Sequence, residues 1–236
     1  MYNRNVFSLW SVHISARVPD GGKGKSMKQR TRSAAALAVV LILAAVLSLG
    51  ACGKRDAIRE TREILSAAEN FTFIYTIEGR DSTEKVALPY LLAVTADAAS
   101  EENGVETTYA TISAAGATIW LPFGETYAPT NCSLATYQER TRGSDSYYGR
   151  FLSYLDPSAW KWDKKRDAFV PKNYAMFAAL GLEITDMELA ITNTTCYIMG
   201  QAVKTDRDAR YEVIITMAVT QIGSTEVKLP EEITAD

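Results

Sequence analysis

Residues Tyr211, Val213, Ile215, Met217 and Val219 are separated by single residues, and this alternation constrains the chain more than any other feature. An apolar residue at every second position is the period of a strand with one face in a core. The same period appears at Phe71, Phe73, Tyr75 and Ile77, at Leu88, Tyr90, Leu92 and Val94, and at Met187, Leu189 and Ile191. Further strand-like runs lie at Val105–Ile112, Ala117–Leu121 and Cys196–Val203. Short turn segments, Asn193-Thr194 and Asp206-Arg207-Asp208, join the last three runs, as in an antiparallel meander. Pro89, within the Val86–Ala96 run, suits an edge strand or a bulge.

Helical spacing is rarer. Ile58, Thr61, Ile64, Leu65 and Ala68 predict one amphipathic helix ending near Asn70. Tyr147, Tyr148, Phe151, Leu152 and Leu155 predict a second, capped at Ser144 or Asp145 and stopped before Pro157. A third is expected at Asn173–Leu180, with Gly181 as its C-terminal glycine. The stretch Glu101–Gly104 reads as an acidic loop, and 122–146 as loop with one edge strand. The fold class is therefore α+β, an antiparallel sheet with two to four helices.

The front of the chain is not part of that fold. Lys28, Arg30 and Arg32 precede a nearly unbroken apolar run from Ala34 to Leu49, followed by Gly50, Ala51 and Cys52. Basic, apolar and small residues in that order make a secretory signal. The run of 16 residues falls short of the roughly 20 that a membrane-spanning helix needs. Leu49-Gly50-Ala51-Cys52 resembles the lipobox of bacterial lipoproteins, which implies a diacylglyceryl anchor on Cys52 and a location on the extracytoplasmic face of the cell membrane. Met27, followed at once by Lys-Gln-Arg-Thr-Arg, is the expected start, so 1–26 is expected not to be translated and 27–51 to be removed. Residues 52–70 are then lipidated N-terminus, tether and first helix, and 71–236 one sheet domain.

Removing the front changes the charge. Residues 1–51 carry seven Lys and Arg and one acid, leaving 18 bases against 27 acids, a net charge near −9. Such a balance argues against nucleic acid or an anionic membrane surface as a partner and leaves the membrane attachment to the lipid alone. The one histidine, His13, is in the front segment. Histidine-dependent nucleophile arrangements and mixed histidine zinc sites are excluded from the rest. Asp97, Glu101, Glu183 and Glu188 show no spacing of a catalytic carboxylate pair. No catalytic residue, metal or cofactor is expected. Two thiols remain after lipidation, Cys132 and Cys196; an oxidising exterior permits a bridge between them, and two buried free thiols are the alternative.

The order of signal, helix, strands, inserted helices and final meander resembles the LolA-like and LppX-like envelope lipoproteins. The likeness rests on the Phe71–Ile77 strand, the Trp160-Lys161-Trp162 segment and the terminal Gly223–Pro230 run. It implies a curved half-barrel with helices on its concave side and an apolar cavity that binds acyl chains or another hydrophobic ligand. Ile74, Leu91, Ile214 and Ala218 lie opposite the main apolar stripes of their strands, and they are expected to line that cavity with Phe151, Leu152 and Phe177. A filled core with an exposed apolar patch would instead mark a structural or protein-interaction module.

Overall fold

The computed structural model describes residues 53–79, 89–104, 106–192, 194–207 and 209–234. The signal region, with Met27, the Leu49-Gly50-Ala51 motif and Cys52, lies outside them. Helix α1 (Lys54–Ala67) buries Ala57, Ile58, Thr61 and Leu65 along one stripe. It ends where Ala68 turns extended, two residues before the expected end, and Asn70 has another task. Its side-chain amide donates to the Thr225 carbonyl and accepts the Thr225 N–H, at 2.9 and 2.7 Å.

Among the described residues, eleven strands form one antiparallel sheet. They are β1 (Phe71–Gly79), β2 (Tyr90–Val94), β3 (Ala98–Asn103), β4 (Glu106–Ser113), β5 (Gly116–Phe123), β6 (Thr126–Cys132), β7 (Trp160–Asp163), β8 (Ala168–Pro171), β9 (Glu183–Ile191), β10 (Cys196–Asp206) and β11 (Ala209–Thr220). Their order is β6-β5-β4-β3-β2-β1-β11-β10-β9-β8-β7, so the sheet does not close on itself. Two meanders meet at a seam where Ile74 pairs with Ala218.

One face carries the main stripes. Phe71, Phe73, Leu92, Val94, Ile215, Met217, Val219, Ile198, Met187 and Leu189 are all buried. Helix α3 (Tyr147–Tyr154) lies on this face: the Tyr148 ring stacks on Phe71 at 4.4 Å, and Phe151 lies 5.4 Å from Phe73. The Tyr148 hydroxyl donates to the Leu65 carbonyl at 2.8 Å, tying α3 to α1. Trp160 donates its indole N–H to Tyr154 at 2.7 Å, and Phe177 sits 4.9 Å from the Tyr154 ring. Each fully buried large apolar side chain contributes roughly 1.5–3 kcal/mol, so this aromatic layer is a substantial part of the core's stability.

Several sequence expectations need correcting. Helix α2 (Leu134–Arg142) stands where loop was expected, capped by the Ser133 hydroxyl accepting the Thr136 N–H at 3.1 Å. It buries only Tyr137 and Thr141, one pair at i, i+4, too little for a visible period. Glu101 is not in a loop but in β3, whose Ala-Ala-Ser-Glu-Glu-Asn sequence holds no β-branched residue. Helix α3 is capped by Ser146, not Ser144 or Asp145. The third helix, Tyr174–Leu180, is 3₁₀, capped by Asn173 and ended by Gly181 at φ 67°. Pro89 is not on an edge: β2 lies between β1 and β3, and Pro89 precedes it, its carbonyl accepting the Gly104 N–H at 3.0 Å. The expected edge strand within 122–146 is present as β6.

The last segment, 221–234, is not a strand. It leaves β11, is held to β1 where the Thr72 and Thr225 hydroxyls meet at 2.9 Å, and ends in the short helix α4 (Glu231–Thr234) against β6. It thus links the seam at β1 to the far edge of the sheet at β6.

Candidate functional site

The seven residues expected to line one cavity are divided between the two faces of the sheet. Phe151 and Phe177 are fully buried on the helix-covered face, and Leu152 packs against the same core. Ile74, Leu91 and Ala218 share a cross-strand row on the opposite face, and Ile214 follows the same alternation. That row continues through Tyr197 to Ala190. The expected site fails for a simple reason: the helices cover the main apolar stripe, not the secondary one. Large clefts lie elsewhere, one of about 290 Å³ at the β4–β5 turn beside Asn131 and Cys132, and one of about 690 Å³ along α2. Both are open to solvent, and hydroxyl, amide or charged groups are mixed with apolar surface in their walls.

Apolar surface is displayed at the other end of the β5–β6 hairpin. Helix α2 and β5 meet where Ile119, Tyr137 and Arg140 converge. Further along β5, on the same face as Ile119, Leu121 and Phe123 are 39% and 74% exposed. On the reverse side Tyr109 meets Tyr127 edge-on at 5.4 Å, and Trp120 donates to the Thr111 hydroxyl at 3.3 Å. Beside them β6 is an edge strand. Alternation of Ala117, Ile119, Leu121 and Phe123 was the sequence signal for this tip, hidden by reading loop from Pro122 onward.

Glu101 is the notable charged group of the covered face. Its β3 position places it in a row with Leu92 and Phe73, and Arg140 approaches only to 3.8 Å. Burial holds the Glu101 carboxyl above the usual range, with Arg140 offsetting part of the effect. Burial also pushes the Tyr137 phenol up to about 12. Because the folded protein binds the Glu101 proton more tightly than the unfolded chain does, this group adds stability below its ordinary pKa. That contribution is lost as pH rises through the raised value. Glu101→Gln should therefore flatten the acid side of the stability profile, gaining on the parent protein in urea titrations as pH rises from the ordinary carboxylate range of about 4 through the raised value.

Cys132 and Cys196 are both free, so the bridge is absent. Their strands, β6 and β10, stand seven places apart in the sheet order. Cys196 faces the core and burial pushes its thiol up strongly, whereas Cys132 is half-buried. A thiol reagent should modify Cys132 in the folded protein and reach Cys196 only on unfolding, as read by peptide mass spectrometry.

The Trp160-Lys161-Trp162 segment separates into two roles. Trp160 is core; Trp162 is half-buried, with Phe169 at 5.0 Å and the Lys54 ammonium 2.9 Å above its ring centre. No family model and no curated protein matches the chain. Function must therefore be argued from these surfaces.

Proposed function

We propose that this chain is a lipoprotein anchored through a diacylglyceryl group on Cys52 to the extracytoplasmic face of the cell membrane, and that its mature domain is a non-catalytic protein-interaction module. We infer further that the sheet is a LolA-like half-barrel, a reading supported by its continuous antiparallel order and by helices gathered on one face. The observation that carries the interaction role is the contrast between two regions: the space under α3 is filled by Tyr148, Phe151, Phe177 and Trp160, while Leu121 and Phe123 stand exposed beside an edge strand. Exposed apolar patches next to unpaired strand edges serve contact with other proteins.

A second reading, binding of a lipid or other hydrophobic small molecule, draws on the row Leu91, Ile74, Ala218, Tyr197 and Ala190. Such a ligand would lie on the face away from the helices, not beneath them. Solvent extraction and mass spectrometry of the purified, acylated protein separates the two: an interaction module releases only its own anchor fragment on hydrolysis, whereas stoichiometric extra lipid supports the carrier. Cys52→Ala should abolish incorporation of labelled fatty acid and release the protein from membranes. Continued labelling would refute the anchor.

A further inference from the structure

Gly53 alone separates Cys52 from the first residue of α1, so an anchor on Cys52 reaches the folded domain through at most about 7 Å of chain. The domain cannot then swing on a tether. Whatever surrounds Lys54 must lie at the membrane surface. Lys54 sits over Trp162 of β7, and the β7–β8 turn that follows carries Lys164, Lys165 and Arg166. Arg55, Lys161, Lys164 and Lys165 are all exposed, and none has an ion pair among the described residues.

Neighbouring acids are engaged. Asp163 accepts the backbone N–H groups of Lys165 and Arg166 at 2.8 and 3.3 Å, which holds its carboxyl low, and Asp56 pairs with Arg59 at 2.7 Å. Asp186 takes the Arg166 guanidinium at 2.6 Å, and Asp167 is the remaining exposed acid of the turn. An acidic domain therefore concentrates unpaired bases, beside a half-buried tryptophan, at the corner where the anchor enters. We propose that this corner, Lys54, Arg55, Lys161, Trp162, Lys164 and Lys165, is a docking surface for anionic lipid headgroups that fixes the orientation of the domain on the bilayer. The lipid supplies attachment; the lysines choose which side faces down, since each base near an anionic surface favours contact. The proposal rests on the lipoprotein reading above.

The test uses the full chain, acylated in a bacterial host and reconstituted into phosphatidylcholine vesicles with or without phosphatidylglycerol. Trypsin cleavage at Lys164, Lys165 and Arg166 is timed against cleavage at Arg207 and Arg210, exposed at the β10–β11 turn. Phosphatidylglycerol should slow the first relative to the second by roughly fivefold for each lysine in contact. High salt, or Lys161→Glu with Lys54→Glu, should remove the protection while the protein stays on the vesicle. An unchanged cleavage ratio on the two vesicles, with Cys52 acylation established by mass, overturns the docking surface and leaves the lipoprotein reading standing. Absence of acylation refutes the lipoprotein reading and the docking surface with it.

Discussion

Phe151→Ala is expected to cost the domain about 3–5 kcal/mol, read as a lower urea midpoint with an unchanged slope. The Phe151 side chain is fully buried, 5.4 Å from the Phe73 ring and 6.4 Å from the Tyr148 ring. Its neighbours cannot collapse into the vacated space, because Tyr148 is held both by its stack on Phe71 and by its hydrogen bond to Leu65. A ligand-holding space beneath α3 would behave differently, since shortening a side chain that faces an existing void removes fewer contacts. A loss below about 1 kcal/mol would mean the aromatic layer is not the packed core described here.

Gly149→Ala should be nearly as damaging, for a backbone reason. The α2–α3 corner is so tight that a Cβ at Gly149 would fall on the Gly143 carbonyl oxygen, with the Arg142 carbonyl close behind. Ser146 braces the same corner, its hydroxyl accepting the Gly149 N–H at 2.9 Å and donating to the Gly143 carbonyl at 2.8 Å. Relief would require shifting Arg142, whose guanidinium donates to the Ala68 carbonyl at 2.8 Å and covers Phe71. A loss of about 3 kcal/mol is expected. Gly124→Ala is the control: nothing lies within 4 Å of its new Cβ, and φ 63° alone should cost about 1 kcal/mol. Equal losses for the two would show that the corner relaxes.

Legibility in the sequence followed burial. Strands β1 and β11 bury one face along most of their length, β9 does so at Met187 and Leu189, and their alternation is plain. The strand β3 and the helix α2 were not legible, because Ala98–Asn103 has small and acidic residues in place of β formers and α2 anchors itself by Tyr137 and Thr141 alone. The cavity was misplaced for a different cause. Alternation assigns Ile74 and Ala218 to the face opposite Phe73 and Val219, yet says nothing of which face the helices will choose. That choice depends on Tyr148 meeting Phe71 and Phe151 meeting Phe73, contacts between residues 77 and 78 positions apart. The exposed tip at Phe123 is hidden because Pro122 reads as the end of regular structure, whereas it continues β5 opposite Tyr127 on the edge strand.

The seam between β1 and β11 has a consequence for the order in which the structure can be assembled. Ile74 and Ala218 are joined across 144 positions, and the two meanders on either side are built from hairpins between sequence neighbours. As the chain emerges, β1 to β6 can pair early, but the free margin of β1 stays open until β11 has appeared. Pairing of such high sequence separation is slow, since a long loop must close before any contact rewards it. Until then the chain is half a sheet with the apolar side chains of β1 at its border, and commitment to the native topology waits for Thr220.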